Sequence, residues 1–239
     1  MPRLALALVL GLALPSVGCG DVAARTAPRP TRLGPGEPPR SAVAPRTLLV
    51  TGFGPFLHVT ENPSSEAIRD LDGQTVGSLV VRTARLDVTY ADAPRQLQEA
   101  IDRVRPDVVL CLGVAPGGAL RLESTARNRD TQGAPDAAGV VRRSHAIRDA
   151  GPATIPTRLP LDRLRAALEA EGFEVMDSDD AGGYLCNHVF YELMTRRPDG
   201  VAGFVHVPTL APPWDLPRLQ RAIRRIIETL GEDLGPATR

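Results

Sequence analysis

Cys186 is where chemistry could start in this chain. It lies in Ala181-Gly182-Gly183-Tyr184-Leu185-Cys186-Asn187-His188. A cysteine nucleophile needs a depressed pKa, a base within reach and a third group that orients the base. The two glycines break regular structure, and a helix is predicted over Gly183 to Arg196. Cys186 then falls in the first helical turn, where the positive end of the helix dipole favours a thiolate. The same residues also fit a buried helical cysteine, or a Cys111–Cys186 disulfide in an oxidising compartment. Cys111 sits inside the apolar run Asp107 to Val114 and reads as inert core.

Four histidines could supply the base. His188 is two residues from Cys186, so on one helix the two side chains point about 200° apart and cannot pair. His58 and His145 fall in loops without rigid support. His206, in Phe204-Val205-His206-Val207-Pro208, comes at the carboxyl end of a predicted strand, where open α/β sheets place their sites. A lone histidine there is more often a satisfied core or rim residue. An orienting acid should come from another strand end. Glu123, in Leu120-Arg121-Leu122-Glu123-Ser124-Thr125, meets that condition, as would any solvated strand glutamate.

Other chemistries lose their support. All 28 basic residues are Arg, which excludes Schiff-base lysine chemistry and a P-loop lysine. Gly52-Phe53-Gly54 follows a strand like a dinucleotide fingerprint, but Leu57 holds the third glycine position and Pro55-Phe56 stands where a helix should begin. There is no G-x-S-x-G elbow and no H-E-x-x-H pair. The 28 basic residues balance 28 acidic ones, which argues against non-specific nucleic-acid binding. Three cysteines are too few for a disulfide scaffold.

The elements that must hold these residues alternate. Strands are predicted at Thr47 to Val50, within Val76 to Val88, at Asp107 to Val114, at Phe173 to Met176 and at Val201 to Val207. Helices are predicted from Asn62 to about Leu71, from an Asp92 N-cap to Pro106, from Pro160 to Gly172, from Gly183 to Arg196 and through Leu219 to Leu230, on apolar spacing and cap signals. The pattern argues one α/β domain over 47–230, with an open, twisted, mostly parallel sheet flanked by helices on both faces. Residues 231–239 are expected to be a tail.

The first 46 residues read differently. Arg3, the apolar stretch Leu4 to Leu14 and the small residues after it resemble an export signal over 1–18. Cys19 follows Ser16-Val17-Gly18 as in a bacterial lipoprotein cleavage site, although Ser16 stands where leucine is usual. Residues 19–46, with six prolines, read as a tether. The expectation is a cell-envelope lipoprotein, periplasmic or surface-exposed, that touches the membrane only through a lipid on Cys19. If the N-terminal segment is misassigned, the protein is expected to be cytosolic.

Three separated blocks carry a resemblance. They are LLVTGFGPFLHVTENPSSEA at 48–67, LGVAPGGALRLESTARN at 112–128, and DAGGYLCNHVFYELM at 180–194 followed by AGFVHVP at 202–208. In order and rough spacing they resemble the pyroglutamyl peptidase I (pyrrolidone-carboxylate peptidase) family of cysteine peptidases. The resemblance implies Cys186 as nucleophile, His206 as general base and Glu123 as the third member. It implies that Phe53, Phe56 and Tyr184 line an apolar pocket for the lactam of an N-terminal pyroglutamate, and that Asn62 holds the loop or the ring. It implies no metal and no cofactor. The partners are then pyroglutamate-capped peptides and no nucleic acid, and a homo-oligomer is compatible with this. Ser124 and Thr125 depart from the family's basic and aliphatic residues after Glu123, and should touch the wall of the site. Asp179-Asp180 and Ala137 depart too. The rival readings are a non-catalytic surface lipoprotein that binds capped peptides, and a related cysteine amidase.

Overall fold

The computed structural model describes residues 45–56, 60–131 and 133–234. The expected signal segment, Cys19 and His58 lie outside the described residues, as does all of the tether but Pro45 and Arg46. Strand β1 (Arg46–Phe53) is followed by the short helix α1 (Pro63–Glu66), strands β2 (Thr75–Val76) and β3 (Leu79–Leu86), helix α2 (Asp92–Val104) and strand β4 (Val108–Ala115). Then come β5 (Leu120–Glu123), β6 (Thr125–Arg127), β7 (Thr154–Pro156), α3 (Leu161–Ala170), β8 (Val175–Ser178), α4 (Leu185–Arg196), β9 (Val201–Pro208) and α5 (Leu216–Leu234). Seven strands form one sheet in the order β2-β3-β1-β4-β9-β5-β8, and β6 and β7 form a separate pair.

The sheet is mostly parallel. Only the pairings β2–β3 and β5–β9 are antiparallel. β4 is buried along nearly its whole length, as expected of a central strand covered on both faces. On one face, Leu48, Val50, Leu110, Leu112, Leu120, Leu122, Val205 and Val207 pack against α3 and α5. On the other, Leu49, Val109, Cys111, Ala202 and Phe204 pack against α2 and α4. Period-2 alternation fixes which side chains share a face. Leu120 and Leu122 belong to the first face, so Arg121 and Glu123 belong to the second.

Several boundaries differ from the sequence expectation. α1 stops at Glu66, and the stretch to Leu71 continues as turns held by i→i+3 contacts such as Leu71 N–H to the Ile68 carbonyl, 3.1 Å. Gly52 explains the close fit of α1: a Cβ there would overlap the Ser64 carbonyl. Asp92 is the first residue of α2 rather than its cap, and Thr89 exchanges hydrogen bonds with it, both at 2.9 Å. α5 runs on to Leu234, so the first four residues of the expected tail are helical. The apolar spacing of Ile223, Ile227, Leu230 and Leu234 continues across the sheet, and Ser78 donates to the Gly231 carbonyl at 3.1 Å. The β6–β7 pair lacked any hydrophobic alternation to announce it.

Candidate active site

A row of residues crosses the sheet on the α4 face. β4 pairs with β9 so that Gly113 stands opposite His206. β9 pairs with β5 so that His206 stands opposite Arg121. On the other side, Thr51 of β1 is opposite Cys111, and Phe53 lies two residues beyond Thr51 as Gly113 lies two beyond Cys111. The row therefore reads Phe53, Gly113, His206, Arg121, one residue per strand.

Gly113 is the gap in that row. A Cβ built there would lie 2.7 Å from the Cys186 sulfur and 2.8 Å from the Phe204 ring. The sulfur occupies the space that any other residue would fill. It arrives from above the sheet, because Cys186 is the second residue of α4. Tyr184 precedes that helix in extended conformation, and no side chain caps the first turn. Its N–H groups are therefore open to a ligand.

His206 is 5% exposed and Glu123 is fully buried. Nδ1 of His206 lies 2.7 Å from Oε1 of Glu123. The other carboxylate oxygen, Oε2, has no partner among the described residues. Burial lowers the His206 pKa, but the facing Cys186 sulfur and then Glu123 outweigh it and push the ring up to about 9. Glu123 ends its strand, as expected, but at the opposite edge of the sheet from the carboxyl ends of β4 and β9. β5 runs against β9, so Glu123 is opposite Phe204, below His206, and its side chain reaches up to the ring. Cys111 and Cys186 are both free thiols. Cys111 is fully buried, and desolvation pushes its pKa up to about 12.

A cavity of about 550 Å3 opens beside the sulfur. Phe53, Phe56, Asn62, Val88, Tyr184, Leu185 and Cys186 line it, together with Pro116, Thr209 and Leu210. The Phe56 and Tyr184 rings meet at 5.9 Å, and Tyr90 braces Tyr184 edge-on at 5.8 Å. The Tyr184 hydroxyl donates to the Pro135 carbonyl, 2.8 Å. Asn62 caps α1 through the Ser64 N–H at 3.1 Å and donates to the Gly54 carbonyl at 3.0 Å. It thereby ties the Phe53-Gly54 turn while lining the cavity. Ser124 and Thr125 are not part of this wall. Ser124 lines a separate cleft with Leu159 and Asp177. Among the described residues no cluster of three or more His, Cys, Asp or Glu side chains could hold a metal ion.

Sequence reasoning missed the supports of α4. Asn187 is fully buried and holds β6 through the Arg127 N–H (2.9 Å) and the Arg127 and Arg129 carbonyls (both 2.8 Å). His188 pairs with buried Asp130 at 3.0 Å, and Arg142 pairs with the same carboxylate at 2.7 Å. Asp179 and Asp180 bind Arg127 and Arg129 at 3.0 and 2.8 Å. The signal was available in the polar residues following Cys186, but only the distant partners give them a role.

The model of the pyroglutamyl peptidase family matches residues 46–214. The chain belongs to that family. The pyrrolidone-carboxylate peptidase of Cupriavidus necator is 39% identical over 171 residues, covering 69% of this chain and 79% of the relative. That of Halalkalibacterium halodurans is 35% identical over 198 residues, covering 77% and 98%. The crystal structure of Bacillus amyloliquefaciens pyroglutamyl peptidase I superposes with a TM-score of 0.75 at 30% identity, over 78% of this chain and 97% of that one. The pyrrolidone carboxyl peptidase of Thermococcus litoralis gives 0.76 at 25% identity, over 79% and 94%. The described domain is thus a pyroglutamyl peptidase domain, and its α/β sheet is the sheet of that family.

Proposed function

We propose that this pyroglutamyl peptidase family member is a cysteine exopeptidase that hydrolyses the amide bond after an N-terminal pyroglutamate. The observation that carries the reading is the Cys186 sulfur lodged over Gly113, facing a His206 ring that Glu123 holds, at the mouth of an aromatic cavity. Cys186 is the nucleophile, His206 the general base and acid, and Glu123 the group that fixes the ring. The thiolate attacks the pyroglutamyl carbonyl. The developing oxyanion is received by first-turn N–H groups of α4, that of Cys186 among them. His206 hands its proton to the departing amine, and a thioester remains. Water, giving a proton to the same ring, cleaves the thioester and frees pyroglutamate and the thiolate. The chemistry calls on no metal or cofactor.

The cavity suits a neutral lactam. Phe53, Phe56 and Tyr184 cover the ring methylenes, while a charged free N-terminus would lose its hydration there without a partner. A non-catalytic binder would need the cavity but not the sulfur–imidazole–carboxylate alignment. Turnover of a chromogenic pyroglutamyl amide by residues 46–239, absent in Cys186→Ser, tests the reading. Phe53→Ala and Tyr184→Ala should raise KM, each removing apolar cover worth about 1–3 kcal/mol. Unchanged KM in both would refute the lactam slot.

We also propose export, with lipidation at Cys19. The support is Arg3, the Leu4 to Leu14 apolar core and the small residues before Cys19. The enzyme would then trim capped peptides at the cell envelope. Metabolic labelling with a fatty-acid analogue should mark wild type and not Cys19→Ala. Activity confined to the cytosolic fraction would overturn this.

A further inference from the structure

The row Phe53, Gly113, His206, Arg121 works as a ruler along the substrate. The lactam lies on the Phe53 side of the sulfur. The leaving amine must lie on the other side, where His206 can protonate it. The next strand outward is β5, and the residue it places in the row is Arg121. Neighbouring strands are about 4.8 Å apart, so β5 is roughly 10 Å from the strand beneath the sulfur, a distance that one extended residue and a long side chain span together.

Arg121 shares the face of Glu123. Its guanidinium donates to the carbonyl of Pro116, the residue after β4, and Pro116 is itself one of the residues lining the cavity. An ideal Cβ on Gly117, which has φ +120°, would stand 3.5 Å from the same guanidinium. The guanidinium carries five N–H donors, and among the described residues the Pro116 carbonyl is the one polar partner it meets. A cation without a carboxylate partner among the described residues thus stands one strand beyond His206, bonded to a residue of the cavity wall.

We infer that Arg121 is a specificity-determining residue that receives a carboxylate on the residue following pyroglutamate. The α-carboxylate of a pyroglutamyl dipeptide is the source that fits the span; an acidic side chain at that position is the other source of the same chemistry. The enzyme then favours the last, shortest products of peptide breakdown over long chains or amidated ends. The inference rests on the proposed peptidase reading.

The test compares kcat/KM for pyroglutamyl-alanine, its amide, and pyroglutamyl-glutamate α-amide, in wild type, Arg121→Gln and Arg121→Lys. Wild type should prefer pyroglutamyl-alanine over its amide by about tenfold, as one charge-assisted contact provides, mostly in KM and less at high salt. Arg121→Gln should bring the ratio near one, and Arg121→Lys should restore part of it. A preference carried instead by the glutamate amide would assign Arg121 to acidic side chains and overturn the dipeptide assignment. A ratio near one in wild type, or an unchanged ratio in Arg121→Gln, overturns the inference while leaving the peptidase reading intact. No hydrolysis of any of the three by wild type overturns both.

Discussion

Two buried histidine–carboxylate pairs sit on the same face of this sheet, and only one of them faces a thiol. His206 and Glu123 meet at 2.7 Å, His188 and Asp130 at 3.0 Å, with both carboxylates fully buried. In the second pair Arg142 takes part of the Asp130 charge, and Tyr90 packs edge-on against the His188 ring at 5.3 Å. That pair pins α4 to the chain after β6. In the first pair one carboxylate oxygen has no partner among the described residues, and the ring faces the Cys186 sulfur. A histidine held by a carboxylate is therefore not a site by itself. The neighbouring sulfur and the cavity make the difference.

The sharpest way to break the comparison is to remove the reacting groups. Cys186→Ser and His206→Ala should each lower kcat/KM by more than about 10³-fold while the fold persists. Near-full activity in either would mean that the wrong pair has been assigned to chemistry. Glu123→Gln should cost on the order of 10²-fold in kcat, since an amide can hold the ring but cannot stabilise its charge. The matching change in the other pair, Asp130→Asn, should act on stability instead. It leaves Arg142 and His188 without their shared anion, at a cost of about 3 kcal/mol in denaturant unfolding, with kcat much less affected than in Glu123→Gln. A kcat loss equal to that of Glu123→Gln would erase the distinction between the pairs.

The smallest expected effect is on pH dependence. The folded pKa of His206, about 9, lies above the ordinary histidine value of 6.5. Its protonated form therefore stabilises the fold fully below pH 6.5, and this contribution is lost as pH rises through 9. Cys186→Ala removes the strongest influence raising that pKa, so its stability should fall less than wild type between these values. Denaturant unfolding at both pH values checks this; identical falls would mean that the sulfur does not hold the ring's proton.

The proposed substrate side divides along similar lines. Phe53, Phe56, Asn62 and Tyr184 are spread over the 132 residues from Phe53 to Tyr184, yet they line one cavity. Ser124 and Thr125, adjacent in sequence to Glu123, do not. Adjacency in a strand sends consecutive side chains to opposite faces. Ser124, just past the end of β5, lines another cleft, while Arg121, two residues before Glu123, shares its face and stands opposite His206.

The sequence by itself settled what depends on local pattern. Alternating apolar segments gave strands and helices, the glycine pair before Cys186 marked the start of α4, and three spaced blocks pointed to the family. These are short-range properties, because periodicity and caps are written in neighbouring residues. What it could not settle is which faces meet. The antiparallel entry of β5, the register that sets Gly113 opposite His206, and the pairing of His188 with Asp130 across 58 residues all depend on contacts between distant segments. Sheet register decides them, since a shift by one residue would turn Glu123 and Arg121 into the apolar core and bring Leu120 and Leu122 to the sulfur.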